Sequence, residues 1–274
     1  MLRAPVSLEI IGYIGAILMG LSLGLIGGGG SILTVPILVY LFSVDAVLAT
    51  AYSLFIVGLT SLVGSLSHMR MGNIHWRTAI VFGIPSILAV YATRAWLVPA
   101  IPDPIVSTGS FTLSKPIGIL MLFALIMVAA AYSMIRKSKA VAAGSDGAVA
   151  FNYPLILIEG IVVGTVTGIV GAGGGFLIIP ALVLLAKLPM KQAVGTSLII
   201  IAAKSLIGFT GDLKGGEVID WNFLLVFSAI AIGGIIAGSI LSKRIPNEKL
   251  KPAFGWFVLI MGIYIIGREL SNLS

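Results

Sequence analysis

Cysteine is absent from this 274-residue chain, and charge is scarce, with Asp, Glu, Lys and Arg together making up 10% of it. Without Cys there are no disulfides, no thiol nucleophile and no Cys-ligated metal, so cysteine usage leaves the redox compartment open. The two histidines, His68 and His75, have no ligand-type neighbours at metal-binding spacing. No Ser/His/acid set or paired carboxylates stand out, so neither catalysis nor a cofactor is expected. The low charge also excludes an ordinary soluble domain, which is about a quarter charged.

What is present is apolar. Hydrophobic residues form 58% of the chain and the mean hydropathy is +1.14. A surface that apolar cannot face water throughout, so lipid must replace water over much of it. The net charge of +7 reads as cationic loops that orient a membrane protein. No basic run interleaved with aromatics suggests nucleic acid as a partner.

Ten apolar stretches follow one another, at 8–26, 31–43, 46–67, 77–98, 115–135, 153–171, 175–187, 190–211, 222–242 and 251–269. Most approach the roughly 20 residues that a helix needs to cross the hydrocarbon. Two are short, 31–43 and 175–187, and each follows a glycine cluster. A spanning backbone must satisfy its own hydrogen bonds, which points to an all-α polytopic membrane protein.

The halves repeat. Gly24-Leu25-Ile26-Gly27-Gly28-Gly29-Gly30-Ser31 through Pro36 matches Gly168-Ile169-Val170-Gly171-Ala172-Gly173-Gly174-Gly175 through Pro180, at an offset of 144. The offset also pairs Ser53 with Ser197, Ser61 with Ser205, Gly64 with Gly208 and Gly72 with Gly216; one residue later Trp76 pairs with Trp221. Residues 1–136 and 153–274 are therefore expected to be two five-segment repeats, joined by a cytoplasmic linker at 137–152. Residues 8–26, with Arg3 ahead, resemble a signal-peptide core. Their counterpart 153–171 cannot be a cleaved leader, so the first segment is expected to stay.

Loop charge tests the symmetry. If all five segments of each half cross, eleven Lys and Arg between Arg70 and Lys251 share one side, against Arg3, Arg94, Lys115, Lys214 and Arg268 on the other. If the two short segments are re-entrant, the same loops divide eight against eight. Positive charge belongs in the cytoplasm, so five crossings per half are expected. An odd number makes the repeats inverted, with both termini outside. Pro99–Ser114 is the longest outside loop, and the eight-crossing arrangement is the alternative.

The glycine clusters are the sharpest candidate site. A run such as Gly27–Gly30 disfavours helix and permits left-handed turns. The short helix that follows presents free N–H groups and the positive end of its dipole, which binds anions without a cationic side chain. Two such ends could converge at the midplane on one substrate. The expected contacts are Gly28, Gly29, Gly30 and Ser31 from the first half and Gly173, Gly174 and Gly175 from the second. The glycines before each cluster, such as Gly12, Gly20 and Gly24, recur every four residues and read as close helix packing.

Segments 46–67 and 190–211 add Ser53, Thr196, Ser197 and Lys204. Ser197 and Lys204, seven apart, share a helix face. A Lys inside a membrane segment is costly, which makes a functional role its default reading; the alternative is that its long stem snorkels to the interface. Glu159, inside its own segment, is a candidate for proton coupling or an interfacial charge. His68 and Arg70 are expected in a loop whose counterpart holds Asp212 and Lys214.

At these residues the chain resembles the TauE/SafE (TSUP) family of sulfite exporters. The resemblance rests on the two glycine motifs with Pro36 and Pro180, on Ala193–Leu198, and on the Gly72–Trp76 and Gly216–Trp221 stretches. It implies a polytopic carrier for sulfite, sulfonates such as sulfoacetate, or related anions in the cytoplasmic membrane. Two departures stand out: Ala51-Tyr52-Ser53 replaces the Gly195-Thr196-Ser197 of the other half, and Lys204 stands where a neutral polar residue is expected. With no ATP site, the membrane potential or an ion would drive export by alternating access. A passive anion channel and an uptake permease are the rival readings.

Overall fold

A computed structural model describes residues 6–28, 30–108, 111–135, 153–184, 186, 188–213, 219–242 and 247–271. Ten helices carry the fold. The first half holds α1 (Val6–Ile26), α2 (Ser31–Tyr40), α3 (Ala46–Arg70), α4 (Trp76–Ala92, continuing through a π-helical stretch, Thr93–Leu97, to Ala100) and α5 (Lys115–Ile135). The second holds α6 (Tyr153–Val170), α7 (Gly175–Leu184), α8 (Met190–Asp212), α9 (Trp221–Leu241) and α10 (Asn247–Ser271). The ten apolar stretches and the ten helices coincide to within a few residues. Arg136 and the linker at 137–152 lie outside the described residues, as do Gly29, Lys214 and Gly216.

Among the described residues, six helices are long and apolar enough to cross a membrane: Leu8–Ile26, Ala46–Arg70, Trp76–Ala100, Lys115–Tyr132, Met190–Asp212 and Trp221–Leu241. The distribution of side chains is that of a protein solvated by hydrocarbon. Leu88 and Trp96 are 64% and 66% exposed, whereas Lys204 is fully buried. Many polar side chains, among them Thr50, Ser61 and Ser205, are buried inside the helix bundle instead.

Glycine sets the helix contacts, because a missing Cβ lets backbones touch. Gly20 meets Ala231 and Gly24 meets Ser239, so α1 and α9 run parallel. Gly160 meets Phe82 and Gly168 meets Thr93, so α6 and α4 run parallel as well. At the centre, Gly58 meets Leu206, Gly208 meets Leu54 and Gly64 meets Leu198: α3 and α8 are antiparallel. That register sets Lys204 level with the Leu59–Thr60 step. α5 and α10 pack together at the periphery. Gly12 faces Phe42 and Gly15 faces Ile37, so α2 folds back along α1.

Two corrections to the sequence expectations concern the ends of segments. His68 and Arg70 sit in the last turn of α3, and Asp212 ends α8, so none of the three is a loop residue. The apolar pattern breaks before these helices do, since polar residues at a helix end keep the backbone bonded while reaching the interface. The Pro99–Ser114 stretch is not all irregular: Val106–Thr108 and Phe111–Leu113 pair antiparallel, with Val106 opposite Leu113.

Candidate functional site: two crossed glycine loops

Each glycine cluster ends one helix and starts the next. Gly27 (φ +79°) and Gly171 (φ +71°) close α1 and α6 in the left-handed region, which L-residues with a Cβ rarely adopt. Both amides still complete a helical bond, Gly27 N–H to Leu23 O at 2.7 Å and Gly171 N–H to Thr167 O at 2.9 Å. The chain then turns and begins α2 or α7 only a few residues later.

The two loops touch. A Cβ on Gly28 would strike the backbone of Gly175, and one on Gly175 would strike Gly28. A Cβ on Gly173 would meet Val57 and lie 3.4 Å from Ser31 Cβ. The structure thus brings Gly28, Ser31, Gly173 and Gly175 together between α3 and α8. Gly30 turns the other way and packs on Met19 and Leu23 of α1. Ser31 Oγ donates to Gly28 O at 2.8 Å, bracing the first loop.

Lys204 reaches this crossing from α8. Its Nζ donates to Thr167 Oγ1 on α6 at 2.8 Å, and a Cβ on Gly174 would come 2.7 Å from it. Among the described residues no carboxylate lies within ion-pairing distance of it. Lys204 therefore does not snorkel; its ammonium points at the start of α7. A lysine head group and a positive helix end thus share one buried place, where each disfavours the other's charge and a negative group would relieve both.

The hydroxyls differ between halves. Ser197 Oγ lies 3.1 Å from Gly27 O and 2.8 Å from Val194 O, so it ties α8 to the first glycine loop. Its counterpart Ser53 shares a face of α3 with Thr50 and Val57, which pack on Gly171 and Gly173. Ser53 Oγ is buried with no hydrogen-bond partner. Thr34, one turn after Ser31, and Ser205, next to Lys204, are likewise buried hydroxyls without a partner.

Thr196 serves the scaffold. Its Oγ1 accepts the His75 N–H at 2.9 Å. In the other half, Tyr52 Oη accepts the Asp220 N–H at 2.8 Å. His75 and Asp220 are the N-caps of α4 and α9, accepting from Thr78 N–H and Phe223 N–H. The Tyr52/Thr196 difference is thus one task done by side chains of two lengths. Glu159 is not brought to the crossing. It is half-buried on α6, eight residues before Thr167, which is roughly 12 Å along the helix.

Sequence reasoning missed Thr167 and Arg94. Thr167 is a weakly polar residue in an apolar run, and only its bond to Lys204 marks it. Arg94 counts in the sequence as an outer-side topological charge, yet the structure leaves it 1% exposed. The available signal was its place inside the 77–98 segment. An apolar crevice of about 370 Å³ lies between α5, α6 and α7, lined by Ile126, Val162, Phe176 and Pro180 among others. Its lining suits hydrocarbon, not an anion. Among the described residues no group of three or more His, Cys, Asp or Glu gathers as metal ligands.

The family model described as "Sulfite exporter TauE/SafE" matches residues 13–265. A "Probable membrane transporter protein" of Xylella fastidiosa (strain 9a5c) is 30% identical over 260 residues, covering 93% of this chain and 94% of that one. The "Probable membrane transporter protein MJ0441" of Methanocaldococcus jannaschii is 29% identical over 94% of both chains. The "Probable membrane transporter protein YunE" of Bacillus subtilis (strain 168) is 24% identical, over 88% of this chain and 91% of its own. No solved structure gives a significant match.

Proposed function

The chain is a multi-pass membrane transporter of the TauE/SafE sulfite exporter family, and from that premise we propose that it moves a small sulfur-containing anion, sulfite or a sulfonate such as sulfoacetate, out across the cytoplasmic membrane by alternating access. The observation that carries the reading is the buried ammonium of Lys204 beside Gly174, at the positive end of α7 and without a carboxylate partner. An anion's oxygens would take the loop N–H groups around Gly28, Gly29, Gly30, Gly173 and Gly175, the hydroxyl of Ser53, and the charge of Lys204; the Gly174 N–H goes instead to Ala172 O at 2.6 Å, and that residue's part is to leave room for the Lys204 head group. Ser31, Ser197 and Thr196 hold the surrounding backbone in place, and Glu159 stays a candidate for proton exchange on the way in.

The inverted-repeat reading has support in packing direction. Helices α3 and α8 are counterparts and run antiparallel. Counterparts crossing side by side in a parallel repeat would run the same way, as they would with re-entrant α2 and α7 and eight crossings. Five crossings per half give the observed directions for α1 with α9, α4 with α6, and α3 with α8. Two inverted halves around a midplane site supply two exchangeable states. With the more positive loops inside, expelling an anion is favoured by about 2.3 kcal/mol per charge per 100 mV of inside-negative potential.

A passive channel is the rival. It needs a continuous wet path, whereas Ser31, Ser53, Ser197 and Lys204 are all fully buried. A sealed site fits a carrier caught between openings. Counterflow in proteoliposomes separates the two: a carrier gives saturable sulfite or sulfoacetate flux that trans substrate accelerates, and flux with neither property would sink the proposal.

A further inference from the structure

We propose that Arg94 is a second oxyanion-binding residue, placed between Lys204 and the outer face, which takes the anion's oxygens on its guanidinium as the anion leaves the central site. This rests on the anion-carrier reading above and extends it to a route.

Arg94 is buried between α4 and α8, and its Nε, Nη1 and Nη2 make no hydrogen bond. An Arg presents five N–H donors in a planar fork suited to carboxylate-like and phosphate-like oxyanions. Leaving such a group dry and unbonded is costly unless something else takes its donors. Nη1 lies 3.4 Å from Asp212 Oδ1, longer than the 2.7–2.9 Å usual for a charge-assisted bond. Asp212 thus keeps a counter-charge at hand without occupying the fork. Its side chain is 13% exposed while that of Arg94 is fully buried, so Arg94 lies deeper; in the five-crossing topology proposed above, this end of α8 is the outer one.

The path between the two cations is marked on α8. Lys204, Gly208 and Gly211 are spaced i, i+4 and i+7 and share one face. Gly208 has Val90 of α4 against it, and Gly211 has the Cβ of Arg94. Seven residues of helix set Lys204 and Arg94 levels roughly 10 Å apart. Between them stands a face without side chains, closed in this conformation by Val90. Arg94 itself sits on the π-helical stretch Thr93–Leu97, an irregularity that often marks functional positions in helices. The counterpart helix α9 runs as an unbroken α-helix, so the second station belongs to one half alone. Its effect must be one-sided.

The test uses the full chain in right-side-out and inside-out membrane vesicles, with sulfite as the probe. In Arg94→Gln, half-saturation from the outer face rises at least tenfold, while that from the inner face stays within twofold. Arg94→Lys falls between. Asp212→Asn, which removes the competing carboxylate, lowers outer half-saturation about threefold, and the Arg94→Gln/Asp212→Asn double variant behaves like Arg94→Gln. If Asp212→Asn is as damaging as Arg94→Gln and the double variant recovers, the pair is a structural tie and the proposal is overturned. Equal effects at both faces, or no effect, overturn it too. Should Arg94→Gln fail to fold, outer half-saturation that is unchanged or raised in Asp212→Asn overturns it. Wild-type vesicles with no saturable sulfite flux would bring down the carrier reading and this one together; saturable wild-type flux with unaltered variants would bring down this one alone.

Discussion

Lys204 Nζ donates to Thr167 Oγ1 across 2.8 Å, joining α8 to α6 at the point where the second glycine loop turns into α7. That bond aims the lysine head group at a helix N-terminus, an arrangement that favours neither group's charge and that a bound anion, as proposed above, would relieve.

Removing the charge should therefore separate binding from stability. Lys204→Met is expected to weaken sulfite binding by about 10- to 100-fold, the worth of one charged hydrogen bond of roughly 1.5–3 kcal/mol. In anion-free detergent the same variant should melt at a higher temperature than wild type, since a buried unpaired charge is gone. Thermal unfolding with and without sulfite measures both. Unchanged affinity would remove Lys204 from the site.

The Thr167 side of the bond has the opposite signature. Thr167→Val keeps the shape but leaves the ammonium without its acceptor, at a cost of about 1–3 kcal/mol in the empty protein. Saturating sulfite should restore more of this loss than it adds to wild type. A melting-temperature deficit that persists undiminished in sulfite would show that Thr167 only packs.

The crossing of the loops tolerates no added atom. Gly28→Ala would push on the Gly175 backbone, and Gly174→Ala adds a Cβ at φ +71° against Thr167 and Lys204. Both should abolish flux and sharply reduce folded yield. Gly233→Ala, where a Cβ meets nothing within 4 Å, should stay within about 1 kcal/mol of wild type in either direction. Size-exclusion yield and counterflow across the three variants check the contrast.

Tyr52→Phe and Thr196→Val each remove an acceptor from an N-cap amide. Each should cost about 1 kcal/mol of stability, and the two costs should add, because the bonds lie at opposite ends of the antiparallel α3/α8 pair. Sulfite affinity should not change beyond twofold. A selective loss of affinity in Thr196→Val would return that residue to the anion site.

The lack of Cys makes the chain its own blank for topology. Single Ser7→Cys and Ser43→Cys variants should react with an impermeant maleimide from the same side, and Met71→Cys from the opposite one. Re-entrant α2 would instead put positions 7 and 71 together.

Much of this was legible because lipid imposes a simple rule on sequence. The ten helices follow from apolar runs, and the glycine breaks at 27–30 and 171–175 fall where the structure turns. The meeting of Gly28 with Gly175 could only be suspected, since they lie far apart in the chain and nothing local joins them. Lys204 stood out by type, while its partner Thr167 did not, because a lone threonine on an apolar helix carries no periodic signal. Arg94 was misplaced by position: near the end of a segment an arginine looks interfacial, and only the packing of α4 on Gly208 and Gly211 buries it. Thr196 is a different lesson, since Ser and Thr types name a hydroxyl but not the amide it will serve.

Lys204 lies level with the Leu59–Thr60 step, and Thr60 is its own counterpart in the other half. Two identical subunits packed head to tail would place either two ammonium groups or none at such a centre, never one. A lone positive charge there requires that the two sides differ in sequence, and joining them in one polypeptide guarantees that each unlike pair is made together.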